Sequence, residues 1–131
     1  MRMNPSEAER DLLFKQFGRA FFKQDLDALY AVVTKNFTYS ILVDDVTRIM
    51  STRDEVAAFF KERNGTQKDV RFKDVVFHHA EEATFMTYRV TGIDLTTNTR
   101  FERVGVERYT FYNGLISEKD VYSRPRTLSD L

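Results

Sequence analysis

The chain contains no cysteine. Disulfides, thiol nucleophiles and thiolate metal sites are therefore all excluded. Its only histidines are the adjacent pair His78 and His79. With no third donor nearby, no metal site is expected. The five glycines, Gly18, Gly65, Gly92, Gly105 and Gly114, stand alone. Without a glycine-rich loop there is no phosphate cradle, and no cofactor is called for. A balance of one sign is missing too: 20 basic and 20 acidic side chains give zero formal charge. A nucleic acid or an anionic membrane would favour a net basic face, so neither is expected as a partner. Lys61, Arg63, Lys68, Arg71 and Lys73 do cluster, but Glu62, Asp69 and Asp74 interrupt them, which describes a mixed, solvated surface. No run reaches the ~18 apolar residues of a membrane span. Met1-Arg-Met-Asn-Pro-Ser6 is followed by no apolar stretch, so no signal peptide is expected. The expected location is the cytoplasm, where the formal sequon Asn64-Gly-Thr66 meets no glycosylating enzyme.

What is present describes one globular domain. Of 131 residues, 42% are hydrophobic and 31% charged, enough to bury a core without disorder. The expected domain spans 1–131, with an ordered core over about 6–123 and a patternless tail over 124–131. Ser6-Glu-Ala-Glu9 is a capping box. Leu13, Phe17, Ala20 and Phe21 follow at helical spacing. Asp25 caps a short second helix through Leu26, Leu29, Tyr30 and Val33. Phe37 to Val43 reads as a short strand. Thr52-Arg-Asp-Glu55 is a second capping box, opening a helix that Asn64-Gly65 should close.

Strands follow. Val70 to Ala80 is the first long one, and Glu81-Glu82 turns into Thr84–Gly92. Arg100–Tyr112 and Leu115–Tyr122 are joined by Asn113-Gly114, which suits the positive φ of a type I′ hairpin turn. Mid-strand Gly105 reads as a bulge or bend. Helices segregated from meandering strands mean an α+β fold.

In Arg100–Tyr112 one face carries Glu102, Val104, Val106, Arg108, Thr110 and Tyr112. The other carries Phe101, Arg103, Gly105, Glu107, Tyr109 and Phe111. Both are half apolar, so both are expected to be partly covered: one by helices and a pocket, the other by a second subunit.

The chain resembles the nuclear transport factor 2-like superfamily, in its SnoaL-like and ketosteroid-isomerase-like branch. The resemblance rests on Asp25-Leu-Asp-Ala-Leu29, Thr52-Arg-Asp-Glu-Val-Ala-Ala-Phe-Phe60, Arg89-Val-Thr-Gly92 and Tyr109-Thr-Phe-Tyr-Asn-Gly-Leu-Ile-Ser-Glu118. It implies a curved antiparallel sheet wrapped into a cone with three N-terminal helices, a cystatin-like roll, and often a homodimer through the outer sheet face. The fold hosts many activities. By motif, the isomerase base falls near Ile41, its tyrosine at Phe17 and its protonated acid at Arg108, so that chemistry is lost unless Asp44 or Asp45 supplies a base. The epoxide-hydrolase arrangement keeps Arg89 and Asp120 but has Thr91 where an aspartate is needed. The cyclases imply an acid from a late strand, Asp120 or Glu118. Dehydratase-like members imply a pocket histidine, here His78 or His79.

Family parity places Arg108 and Glu102 inward, and the epoxide-hydrolase pattern places Arg89 inward with them. The opposite parity, with Met86, Tyr88 and Val90 inward, stands as the alternative because it is more apolar. On family parity the expected catalytic pair is Asp120 with Arg89, meeting in one cavity. Arg108 and Glu102 complete the floor, and Phe17, Phe37, Tyr39 and Phe59 form the upper wall. Such a pocket suits a small apolar or aromatic ligand bearing a carbonyl or carboxylate. The expected activity is that of an isomerase, cyclase or hydrolase. The competing expectation is a non-catalytic dimeric module whose cavity is filled by phenylalanine.

Overall fold

Two capping boxes start the long helices of the computed structural model, which describes residues 4–43 and 45–126. Helix α1 is Glu7–Lys23, with the Ser6 hydroxyl accepting from the Glu9 amide and the Glu9 carboxylate accepting from the Ser6 amide. Helix α2 is Leu26–Tyr30, capped by Asp25. After strands β1 (Val33–Val43) and β2 (Val46–Met50) comes α3, Arg53–Thr66, capped by Thr52 and Glu55. Four long strands complete the chain: β3 (Gln67–His79), β4 (Thr84–Asp94), β5 (Thr99–Tyr112) and β6 (Leu115–Pro125). No helix is long and apolar enough to cross a membrane among the described residues.

The strands form one curved six-stranded sheet in the order β2-β1-β6-β5-β4-β3. With three helices against its inner face this is the expected α+β cone. Every pairing is antiparallel except β1 with β6, which is parallel. A purely antiparallel sheet was expected; the parallel pair arises because β6 returns from its hairpin into the slot beside the first strand. Strand β1 starts earlier than Phe37, β2 goes unseen in the pattern, and α3 continues through Asn64-Gly65 to Thr66. Asp44 and residues 127–131 lie outside the described residues, so the expectations for that acid and for most of the tail are not met or refuted there.

Sheet curvature has a different source from the one the sequence suggests. Gly105 pairs with Tyr88 on one side and Ser123 on the other without any shift of register. Shifts occur between Val33 and Thr38 where β1 meets β6, between Thr110 and Phe111 where β5 meets β6, and twice in β3, between Lys68 and Arg71 and between Lys73 and Val76. Asp69 and Asp74 sit inside the two β3 shifts at φ 54°, a left-handed conformation that aspartate tolerates better than most residues. Asn113 and Gly114 adopt φ 51° and 77°, as the hairpin reading requires.

The core is aromatic. Phe14, Phe17 and Phe21 of α1, Phe37 and Tyr39 of β1, Phe60 of α3 and Tyr109 and Phe111 of β5 are all buried. One cation is locked into its edge. Arg10 is 4% exposed and donates to the carbonyls of Pro5, Ala80, Glu81 and Ala83 and to the Thr84 hydroxyl. It thereby ties α1 to the turn between β3 and β4 and satisfies carbonyls that would otherwise be stranded.

The outer face is different. Residues directly paired across neighbouring strands share a face. Val76 pairs with Thr87, Thr87 with Val106, Val106 with Tyr122 and Tyr122 with Leu42. This row crosses five strands. Val76, Val106 and Tyr122 remain 49%, 39% and 48% exposed. Charged side chains flank it: Arg89, bonded to Asp74 and Glu102, on one side, and Arg108 opposite Asp120 on the other.

Candidate functional site

Parity decides the site. Pairing puts Arg89, Glu102, Arg108 and Asp120 on the outer face together with the apolar row, not in the cavity. Arg89 donates to Asp74 at 2.7 Å and to Glu102 at 2.8 Å. Its guanidinium hydrogen bond holds the Asp74 carboxyl below the usual range. Asp120 instead accepts from the Tyr122 hydroxyl at 2.8 Å and faces Arg108 across the ladder. The expected Arg89–Asp120 pair is therefore not formed. The physical reason is that alternation tells which residues share a face, while the burial of the more apolar set, Met86, Tyr88 and Val90, selects which face turns inward.

The aromatic residues fare better. Tyr39 and Phe59 line a cavity of about 310 Å³ between α3 and the sheet. Phe17 lines a second cavity of about 190 Å³ between α1 and the β3–β4 side. Phe37 lies sealed behind them, edge-on to Phe17, Tyr30 and Tyr39. The two histidines do point to opposite faces. His78 meets Thr87 on the outside. His79 contacts Thr84 at 2.9 Å and Asp11 at 3.0 Å while stacking on Phe14, which is a packing role.

Phe21, Phe72 and Glu107 border both cavities. At this junction sits a cluster that the family parity hid. Glu107 and Lys119 face each other from β5 and β6, 3% and 4% exposed. Lys119 Nζ lies 3.5 Å from Glu107 Oε1. The Tyr109 hydroxyl donates a short hydrogen bond to the same oxygen, and Tyr88 feels the Glu107 charge. The ammonium group lies over four rings, with centroids at 4.4 Å (Phe21), 4.8 Å (Tyr39), 4.9 Å (Phe17) and 6.0 Å (Tyr109). Cation–π attraction partly replaces the water it has lost.

Gly105 has its role here. A Cβ at that position would stand 2.5 Å from Tyr88 Cζ and 3.0 Å from the Tyr122 carbonyl oxygen. The missing side chain lets the Tyr88 ring lie across β5. Two further cations border the upper cavity, the one between α3 and the sheet. Arg63 lies 4.6 Å over the Phe21 ring and donates to Gln67, and Arg103 donates to Ser123.

The electrostatics follow from enclosure. Burial, and then the nearby Glu107 charge, raise the ionisation of Tyr39, Tyr88 and Tyr109 well above the ordinary phenol value. Burial lowers Lys119, with Glu107 opposing. The arrangement thus offers a carboxylate, an amine and protonated phenols within one water-poor space, the parts needed to move a proton or polarise a carbonyl. Glu107 and Lys119 were missed because charge alone does not mark the inner face. The available signal was their shared parity with Phe101, Tyr109, Phe111 and Val121.

A family model described as a SnoaL-like domain matches residues 14–119. No curated protein matches the chain. Among solved structures, an NTF2-like protein of Burkholderia xenovorans is similar at 19% identity, covering 95% of each chain, with a TM-score of 0.76. A candidate polyketide cyclase of Xanthomonas campestris is 19% identical over 94% of this chain and 93% of its own, TM-score 0.72. A protein of Catenulispora acidiphila with a ketosteroid isomerase-like fold, in complex with trimethylamine, is 14% identical over 90% and 87%, TM-score 0.69.

Proposed function

Because this chain belongs to the SnoaL-like domain family, we propose that it is a cytoplasmic protein that binds a small apolar compound bearing a carbonyl or carboxylate in its inner cavities and moves a proton on it. The carrying observation is the buried Glu107–Lys119 pair, with phenols around it, at the junction of two apolar-walled spaces. A buried ion pair is a poor way to stabilise a core, and perturbed ionisable groups facing a cavity mark functional sites. Glu107 serves as the acid/base group. Tyr88 and Tyr109, kept protonated by burial, serve as hydrogen-bond donors to a developing oxyanion. Arg63 at the upper cavity suits a ligand carboxylate. The reaction class this favours is proton transfer at a carbon next to a carbonyl, as in isomerisation or ring closure.

Titration of 2-naphthoate and 2-indanone, followed by NMR, tests the reading. The wild type should bind below about millimolar, the range of a modest small-ligand site. Arg63→Ala should weaken naphthoate roughly tenfold, the loss of about one charge-assisted contact, while Arg108→Ala on the outer face should not. Deuterium exchange into 2-indanone should be accelerated by the wild type and not by Glu107→Gln. Absence of binding, or equal binding by Arg63→Ala, overturns the pocket assignment.

The outer face supports a second element of the proposal, a homodimer. The row Val76–Thr87–Val106–Tyr122–Leu42 is apolar, continuous and flanked by charge, which is how an association surface differs from scattered exposed residues. Sedimentation should give a mass near twice the 15.4 kDa of one chain, and Val106→Asp should halve it. A wild-type monomer at micromolar concentration rules the dimer out.

A further inference from the structure

We infer that Lys119 is an imine-forming amine, capturing the carbonyl carbon of an aldehyde or ketone that enters the cavity between α1 and the sheet. This rests on the cavity reading above but assigns a covalent chemistry that proton transfer by Glu107 does not need. Three observations point to it. Lys119 borders a cavity whose other walls include Phe14, Phe17, Phe72, Val75 and Met86, a surface with hardly a competing polar group. Its distance to Glu107, 3.5 Å, is long for an ion pair, while the carboxylate oxygen it faces is already engaged by Tyr109. Finally, the surrounding rings of Phe17, Phe21, Tyr39 and Tyr109 stabilise any cation at that point. An iminium ion is a cation in the same place, so the cage that now holds the ammonium holds the product equally well, with Glu107 as its counter-ion.

The step balances with the groups present. The Lys119 ammonium passes a proton to the Glu107 carboxylate, the free amine adds to the carbonyl carbon as the C=O π pair moves to oxygen, and a proton passes from the nitrogen to that oxygen to give a carbinolamine. Glu107 returns its proton to the resulting hydroxyl, which leaves as water as the C=N bond forms. The net change is ammonium plus carbonyl giving iminium plus one water, with no oxidant or reductant. Burial of Lys119 favours the first transfer, since desolvation lowers its hold on the proton.

The experiment is reductive trapping on the intact protein. Wild-type protein is incubated with 2-naphthaldehyde and sodium cyanoborohydride, and modified lysines are mapped by peptide mass spectrometry. Lys119 should be labelled roughly tenfold faster than any surface lysine, the advantage expected of a desolvated amine. Added 2-naphthoate should suppress that labelling alone. Glu107→Gln should slow it by about 100-fold, the lower range for a lost general acid/base. Lys119→Arg keeps a cation in the cage and should give no adduct at position 119. If 2-naphthoate binds but Lys119 stays unmodified while surface lysines react, imine formation is wrong and the cavity reading stands. If neither the acid nor the aldehyde enters, both readings fall. The mapping uses the wild type, so it does not depend on any variant folding.

Discussion

Lys119→Met should destabilise the protein by roughly 3–5 kcal/mol, because it strands the Glu107 carboxylate in the interior. The lysine is 4% exposed and its partner 3%, so bulk water replaces only part of the lost interaction. Tyr109 still donates to the carboxylate, which limits the damage but leaves a net buried charge. Glu107→Gln should cost a similar amount for the opposite reason: it leaves an ammonium group with ring faces and no counter-ion. The double variant Glu107→Gln, Lys119→Met carries no buried charge, retains an amide that Tyr109 can reach, and should be clearly more stable than the sum of the singles predicts. The coupling is read from urea unfolding of all four proteins as a double-mutant cycle. Single variants within about 1 kcal/mol of the wild type, the range of exposed pairs, would mean that the pair is open to solvent.

Stability should also collapse at alkaline pH, and the three interior phenols set where. Tyr39, Tyr88 and Tyr109 all have folded ionisation shifted up, first by burial and then by Glu107. Each keeps its proton in the fold at a pH where the unfolded chain has released it. Stability from each is complete below the unfolded value, near 10, and is lost as pH rises beyond it. Three such groups give a slope of about −4 kcal/mol per pH unit above pH ~10.5. Lys119 has the opposite sign. Its lowered value means the unfolded chain binds the extra proton, so stability rises with pH up to the unfolded lysine value, about 10.4, and is flat above it. Arg63 opposes the shift of Tyr39. Tyr122 is also raised but is exposed and adds little, while Tyr30, raised by burial, acts in the same direction as the other three. The profile therefore climbs gently, turns over near pH 10 and then drops. Urea midpoints from pH 8 to 11.5 should trace it, and Tyr39→Phe should remove about one third of the falling slope, one phenol of three. A midpoint unchanged at pH 11.5 would contradict the enclosure of these phenols.

The elements were legible because their signals are local. Ser6 with Glu9, Thr52 with Glu55, and Asn113 with Gly114 each satisfy their own backbone within a few residues, so no tertiary information is needed to read them. Strand β2 was not, because Val46–Met50 pairs with β1 through contacts that its five residues do not announce. The site was half legible. Tyr39, Phe17 and Phe59 border the cavities because large aromatic groups go inward on any parity. Arg89, Glu102, Arg108 and Asp120 were placed on the wrong side because a family's register was carried over to strands whose own apolar set, Met86, Tyr88 and Val90 with Phe101, Tyr109 and Val121, points the other way. A single choice of face moves every charged residue at once. Gly105 misled for a related reason: a mid-strand glycine signals either a bend or a close neighbour, and only the position of the Tyr88 ring distinguishes them.

The parallel seam between β1 and β6 also governs how the molecule comes into being. Thr38 pairs with Glu118, 80 positions further along, and β6 lies between β1 and β5 rather than at a sheet edge. Until β6 has left the ribosome, β1 and β5 each present an unpaired edge to the cell, and Glu107 has no lysine to meet. Closing so long a loop is slow compared with forming a hairpin, and open strand edges invite pairing with other chains. Assembly of the sheet and completion of the charged cluster are therefore one late event, and a nascent chain halted before Lys119 has neither.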